Sequence, residues 1–102
     1  MPNASLPVAC RLSEPDKRER EATLIAQLKS GVIAVEEVGD GYAFQLPGEQ
    51  KWLLLVAELV AAERECCPFL KFQLTAEPAM GALTLKITGP EGTKGFLKSV
   101  LV

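Results

Sequence analysis

Histidine is missing altogether from the sequence. Its absence excludes Ser-His-Asp and Cys-His nucleophile pairs and every imidazole metal ligand. Catalysis in general is not excluded, but the commonest general base is lost. Long apolar runs are missing too. The longest, Trp52 to Ala57, falls far short of the roughly 18 residues a membrane span needs and reads as part of a core helix. Met1 to Leu12 carries no basic region leading into an apolar stretch, so no signal peptide is expected and the chain is taken to be cytoplasmic. Neither sign of charge dominates: 11 basic residues stand against 13 acidic ones. That balance argues against a general nucleic-acid binder, which needs a basic patch to displace counterions from phosphates. In Lys17-Arg18-Glu19-Arg20 bases and acids alternate, as on a solvated helix face. No Cys-x-x-Cys occurs.

What is present fits one domain. A chain of 102 residues, 48% hydrophobic and 24% charged, can bury a core without disulfides or a structural metal. Any argument for a metal must then rest on a site and not on a need for staples. Residues 1–12 read as an irregular lead-in. Ser13 is placed to cap a helix, with Pro15 in its first turn and Asp16 three positions on. Leu24, Ile25 and Leu28 give that helix one apolar stripe, and Gly31 is placed to end it. The β-branched run 32–38 reads as a strand. Gly39-Asp40-Gly41 is a hairpin turn, and Tyr42, Phe44 and Leu46 alternate with Ala43 and Gln45 in the next strand. A second helix is predicted from about Glu49 to Cys67, stopped by Pro68, because proline disfavours helical backbone in the residue before it. Leu70, Phe72, Leu74 and Ala76 alternate in a third strand. Pro78-Ala79-Met80-Gly81 turns the chain, and Leu83, Leu85 and Ile87 alternate in a fourth. Gly89-Pro90 opens a short terminal helix bearing Phe96, Leu97, Val100 and Leu101.

The predicted fold class is therefore α+β in the order α-ββ-α-ββ-α. A four-stranded antiparallel sheet has one dry face covered by helices. Residues 32–60 and about 70–101 each read as hairpin, corner and helix, a weak internal ββα repeat. The polar sheet face, with Lys71, Gln73, Thr84 and Lys86, carries no aromatic residue and so lacks a stacking platform for single-stranded nucleic acid. The second helix has one narrow polar stripe, Lys51, Glu58 and Glu65, and is otherwise apolar from Trp52 to Ala62. A helix lying on one sheet needs less apolar surface than that. The excess predicts burial on two sides, by a second subunit in a homodimer or by the remaining helices.

Chemistry concentrates in Glu63-Arg64-Glu65-Cys66-Cys67-Pro68-Phe69. A helical wheel sets Cys67 with Leu53, Val56 and Val60 at the centre of the inward face. It sets Cys66 about 100° away, beside Leu55, Leu59 and Ala62, and Glu63 one turn earlier on the inward side. In a reducing compartment, thiols are expected free, metal-bound or redox-active rather than in structural disulfides. Three readings stand. As core fillers the thiols are small hydrophobes and inert. As ligands, Cys66, Cys67 and Glu63 bind a thiophilic metal or metalloid ion, with Cys10 or a second subunit completing the set. Adjacent cysteines are not a zinc-finger spacing. As redox thiols they are opposed by the partial negative charge of a helix C-terminus and by Glu63 and Glu65, offset only by Arg64 and Lys71. The glycine-rich segment Gly89–Gly95 lacks the order of a phosphate loop and reads as a tight corner. Glu36-Glu37 reads as solubilising.

The run from Glu63 to Phe72 and the later Thr88-Gly89-Pro90-Glu91-Gly92 resemble a group of small, largely uncharacterised bacterial proteins. These carry a Glu-x-x-Cys-Cys-Pro-Phe segment and are sometimes associated with heavy-metal resistance. The resemblance spans roughly Tyr42 to Leu101, and it implicates Glu63, Cys66 and Cys67 in metal or metalloid handling. The chain has no DNA-binding helices of a regulator. A binding domain is expected rather than an enzyme, with an interaction module and a thiol oxidoreductase as the alternatives.

Overall fold

A computed structural model describes residues 14–102; the lead-in, Cys10 and the expected cap Ser13 lie outside them. The elements are α1 (Pro15–Gly31), β1 (Ala34–Val38), β2 (Gly41–Leu46), α2 (Gln50–Cys66), β3 (Lys71–Ala76), β4 (Leu83–Thr88) and α3 (Thr93–Val100). The order is the one expected, and the sheet is wholly antiparallel, arranged β1-β2-β4-β3.

The two hairpins meet through their second strands. Gly41 pairs with Thr88 and Leu46 with Leu83, so β2 and β4 run past each other in matched register. Each hairpin's first strand is left at a sheet edge. This is the pseudo-two-fold arrangement a ββα repeat generates. The halves differ in their turns: Gly39-Asp40 closes the first hairpin, with Gly39 at positive φ, and residues 77–82 close the second.

Tyr42, Phe44 and Leu46 of β2 and Leu83, Leu85 and Ile87 of β4 point to one side and are buried. Val56 and Leu59 of α2, Leu24 and Leu28 of α1, and Leu97 and Leu101 at the end of α3 join them in one core. The dry face is narrower than the alternation implied. Val35 lies opposite Phe44, and Leu74 opposite Leu85, on the inward side of the sheet. Both remain about two-fifths exposed, because the helices cover the two central strands and not the edges.

Two local readings change. The residue that caps α1 is Glu14, without a side-chain hydrogen bond, and Pro15 opens the helix. Gly31 ends α1 as expected, but not by adopting a left-handed conformation. It is the last helical residue, and a Cβ there would collide with the Trp52 ring of α2, so it is glycine to let the two helices close. The surplus apolar surface of α2 is partly answered by α1, which packs along it. Leu53 and Leu54 nevertheless stay 37% and 54% exposed. Among the described residues no helix is long and apolar enough to cross a membrane.

Candidate metal centre

The inward face of α2 follows helical spacing through Val56, Leu59, Glu63 and Cys66. Its last two members are a carboxyl and a sulfur, where apolar side chains would continue the pattern. The wheel placed Cys67 at the centre of this face and Cys66 to its side. In the structure Leu53 is partly exposed and Leu59 fully buried, the helix ends one residue early at Cys66, and both cysteines are fully buried.

Cys67 is the C-cap, with φ −125° and ψ 76°. Its amide donates to the Glu63 carbonyl at 2.6 Å, and its carbonyl accepts from the Leu70 amide at 3.1 Å. Pro68 sits at the second position of the turn so formed, where its fixed φ fits and its missing N–H is harmless. The backbone of Cys67 is thus held from both sides, and its side chain swings back beside that of Cys66. The sulfurs are 3.5 Å apart, and the Cys67 thiol makes a long 3.8 Å hydrogen bond to Glu63 Oε1.

One further residue completes the group. Glu21 of α1 reaches the same point, and Glu21, Glu63, Cys66 and Cys67 each offer a ligand atom within 4.8 Å of the others. Sequence reading missed Glu21, although the signal was present. It precedes Leu24 by three residues and Leu28 by seven, so it continues the buried stripe of α1 with an acid. Glu21 is partly exposed, whereas Glu63 is 2% exposed and both cysteines are fully buried. Cys10 lies outside the described residues, so the structure does not address it as a further donor.

The surroundings are dry. Phe69 and Phe96 meet edge to face with centroids 5.3 Å apart, and with Leu70 they pack around the thiols. Burial therefore governs the electrostatics. It pushes the Glu63 carboxyl up from 4.5 to about 9, helped by a proton-sharing contact with Glu21 and by that group's charge. Burial also pushes the Cys67 thiol up from 9.0 to about 12, and the nearby carboxylates add to the shift. Such a thiol is the opposite of a reactive one, which weighs against redox catalysis by Cys67. Cys67 is a free thiol. Cys66 is disulfide-bonded, where reasoning from a reducing compartment expected it free, metal-bound or redox-active.

Glu63 Oε2 is buried and receives no hydrogen bond from any donor among the described residues. Its neighbour is the Glu21 carboxyl, another acceptor. Two facing acceptors in a dry site are reconciled only by something positive between them, a shared proton or a cation. No family model matches the chain, and neither a curated protein nor a solved structure does.

Proposed function

We propose that this domain binds a thiophilic metal or metalloid ion through Cys67, Glu63 and Glu21, with Cys66 joining as a fourth donor once its sulfur is reduced. The observation that carries the reading is the orphaned, buried Glu63 Oε2, set among two sulfurs and a second carboxylate. Spacing supports it. A tetrahedral ion with metal–sulfur bonds of about 2.3 Å holds its sulfurs roughly 3.8 Å apart. The donors here stand 3.5 Å and 3.8 Å apart at the closest, and a small side-chain rotation brings in the rest. The resemblance of the Glu63–Phe72 segment to proteins associated with metal resistance points the same way.

Binding is an exchange of cations. The site holds protons on Glu63 and Cys67 at neutral pH, and an ion must displace them. On this reading the domain serves as a carrier or sensor of the ion. A homodimer, supported by the exposure of Leu53 and Leu54 on α2, belongs to the same proposal. A monomer mass at high concentration, with and without ion, removes that part.

The test is a titration of the reduced full chain with zinc, cadmium and arsenite, read by competition against a chromophoric chelator and by the thiolate-to-cadmium charge-transfer band. One ion per chain is expected. Cys67→Ser and Glu63→Gln should each weaken binding by tenfold or more while the circular dichroism stays native. If every ion is ignored and native Cys67 is simply protected from alkylation, the thiols are inert packing.

A further inference from the structure

Within the reading of the cluster as an ion site, we infer that the ion is a divalent cation of the zinc class which approaches past Glu21 and, once held, fastens α1 to α2.

The donor set selects the class. Copper(I) and other very soft ions prefer sulfur alone, and magnesium and calcium take oxygen alone with six or more ligands. Glu21, Glu63 and Cys67, joined by Cys66 when its disulfide has been reduced, divide the donors between carboxylate oxygen and thiolate sulfur, which suits a tetrahedral ion of intermediate softness. Here two carboxylates and two sulfurs converge within 4.8 Å of one another. The unpaired Glu63 Oε2, almost wholly buried, lies inside this set and not on a surface patch of acids.

The chain path supplies the mechanical half. Glu63 and Cys66 belong to the last turn of α2, and Cys67 caps it. Only Glu21 comes from another element, and it alone of the four is partly exposed. An ion from solvent therefore meets Glu21 first. A groove of about 310 Å³ runs along this seam between the helices, lined by Lys17 and Arg20 on one wall and by Ala62 and Glu65 on the other. Two ion pairs cross the seam: Lys17 Nζ to Glu65 Oε1 at 2.5 Å, and Arg20 to Glu58 at 3.0 Å. All four side chains are roughly half exposed, so these pairs hold Glu21 in reach yet open readily. The buried anchors of α1, Leu24 and Leu28, lie in its second half. The first half is tied to α2 by exposed charges and by Glu21. Filling the site converts Glu21 from a side chain that faces the Glu63 carboxyl into a ligand shared with α2, and the loosely tied half of α1 becomes fixed.

Hydrogen–deuterium exchange on the full chain, reduced with a phosphine, tests this with zinc chloride, comparing wild type, Glu21→Gln and Glu19→Gln. Glu19 lies on the exposed side of the same helix and controls for lost charge. Zinc should slow exchange over residues 15–24 of the wild type by tenfold or more and leave α3 unchanged. Glu21→Gln should bind zinc at least tenfold more weakly and lose that protection, Glu21→Asp should fall between, and Glu19→Gln should match wild type. If zinc binds wild type and Glu21→Gln alike, or binds without slowing exchange in α1, the clasp is refuted and the ion-site reading survives. If copper(I) binds both forms equally while zinc is ignored, the ion class is wrong. If wild type takes up neither zinc nor any other ion, both this inference and the reading beneath it fail.

Discussion

Glu63→Gln should make the ion-free protein more stable at neutral and mildly alkaline pH, and it should remove the pH dependence that this residue creates. The sign follows from where the proton sits. In the folded chain Glu63 keeps its proton up to about pH 9, whereas the unfolded carboxyl releases it near 4.5. Between those values the native state binds one more proton than the unfolded state, so stability falls as pH rises. One proton corresponds to at most about 1.4 kcal/mol per pH unit, or roughly 3 kcal/mol between pH 6 and pH 8. That is a large part of the 5–15 kcal/mol that typically holds a domain together. The window is unusually clean, because the chain has no histidine to titrate there. Cys67 would add a slope of the same sign only above pH 9. Glutamine keeps the shape of the protonated acid and donates to the Glu21 carboxylate, so the variant should be nearly flat from pH 6 to 8. Urea unfolding of both proteins at pH 6, 7 and 8, with a chelator present throughout, measures this. Parallel slopes for the two would refute the claim that Glu63 is held protonated by burial.

Zinc affinity should rise steeply with pH between 6 and 8, on the order of a hundredfold per unit if binding expels the protons of both Glu63 and Cys67, and a flat chelator-competition profile would contradict that exchange. Gly31→Ala should cost about 1–3 kcal/mol, seen as a lowered melting temperature, because the new methyl must displace the Trp52 ring. Leu85→Ala, at the buried centre of β4, should cost about 2–5 kcal/mol. Leu74→Ala, its cross-strand neighbour on the exposed edge, should change stability by roughly 0.5 kcal/mol or less, and equal losses at the two positions would mean that the edge is covered in solution.

Most of the architecture was legible because its signals are local. Alternation of Leu83, Leu85 and Ile87 against Thr84, Lys86 and Thr88 fixes which side of β4 is dry without knowledge of its neighbours. Gly39-Asp40 and Pro68 mark turns by their backbone preferences. What sequence could not show was extent. Phe72 and Leu74 alternate as cleanly as Leu85 and Ile87, but their strand lies at the edge, and strand order decides coverage. Gly31 was read from its position after an apolar stripe, whereas its reason is a ring arriving from α2. Glu63, Cys66 and Cys67 were found as neighbours in sequence. Their placement on an ideal wheel could not include the departure of Cys67 from helical geometry to cap the turn.

Glu21 shows where reading one segment at a time stops working. Alone it is one more acid on a charged helix, beside Glu19 and Arg20. Its meaning depends on α1 packing against the closing turn of α2, so that a carboxyl at the start of one buried stripe faces a carboxyl near the end of the other. An apolar residue at either place would extend the core at no electrostatic cost. Two acids and two sulfurs instead leave a buried carboxyl oxygen, Glu63 Oε2, unpaired beside a second acid in a site walled by Phe69 and Phe96. Only a bound positive charge turns that arrangement from a liability into a stabilising contact. A proton does so weakly, by neutralising one acid. A divalent cation does so for every donor at once, which is why the buried Glu63 carboxyl facing Glu21, more than the sulfurs, argues for an ion.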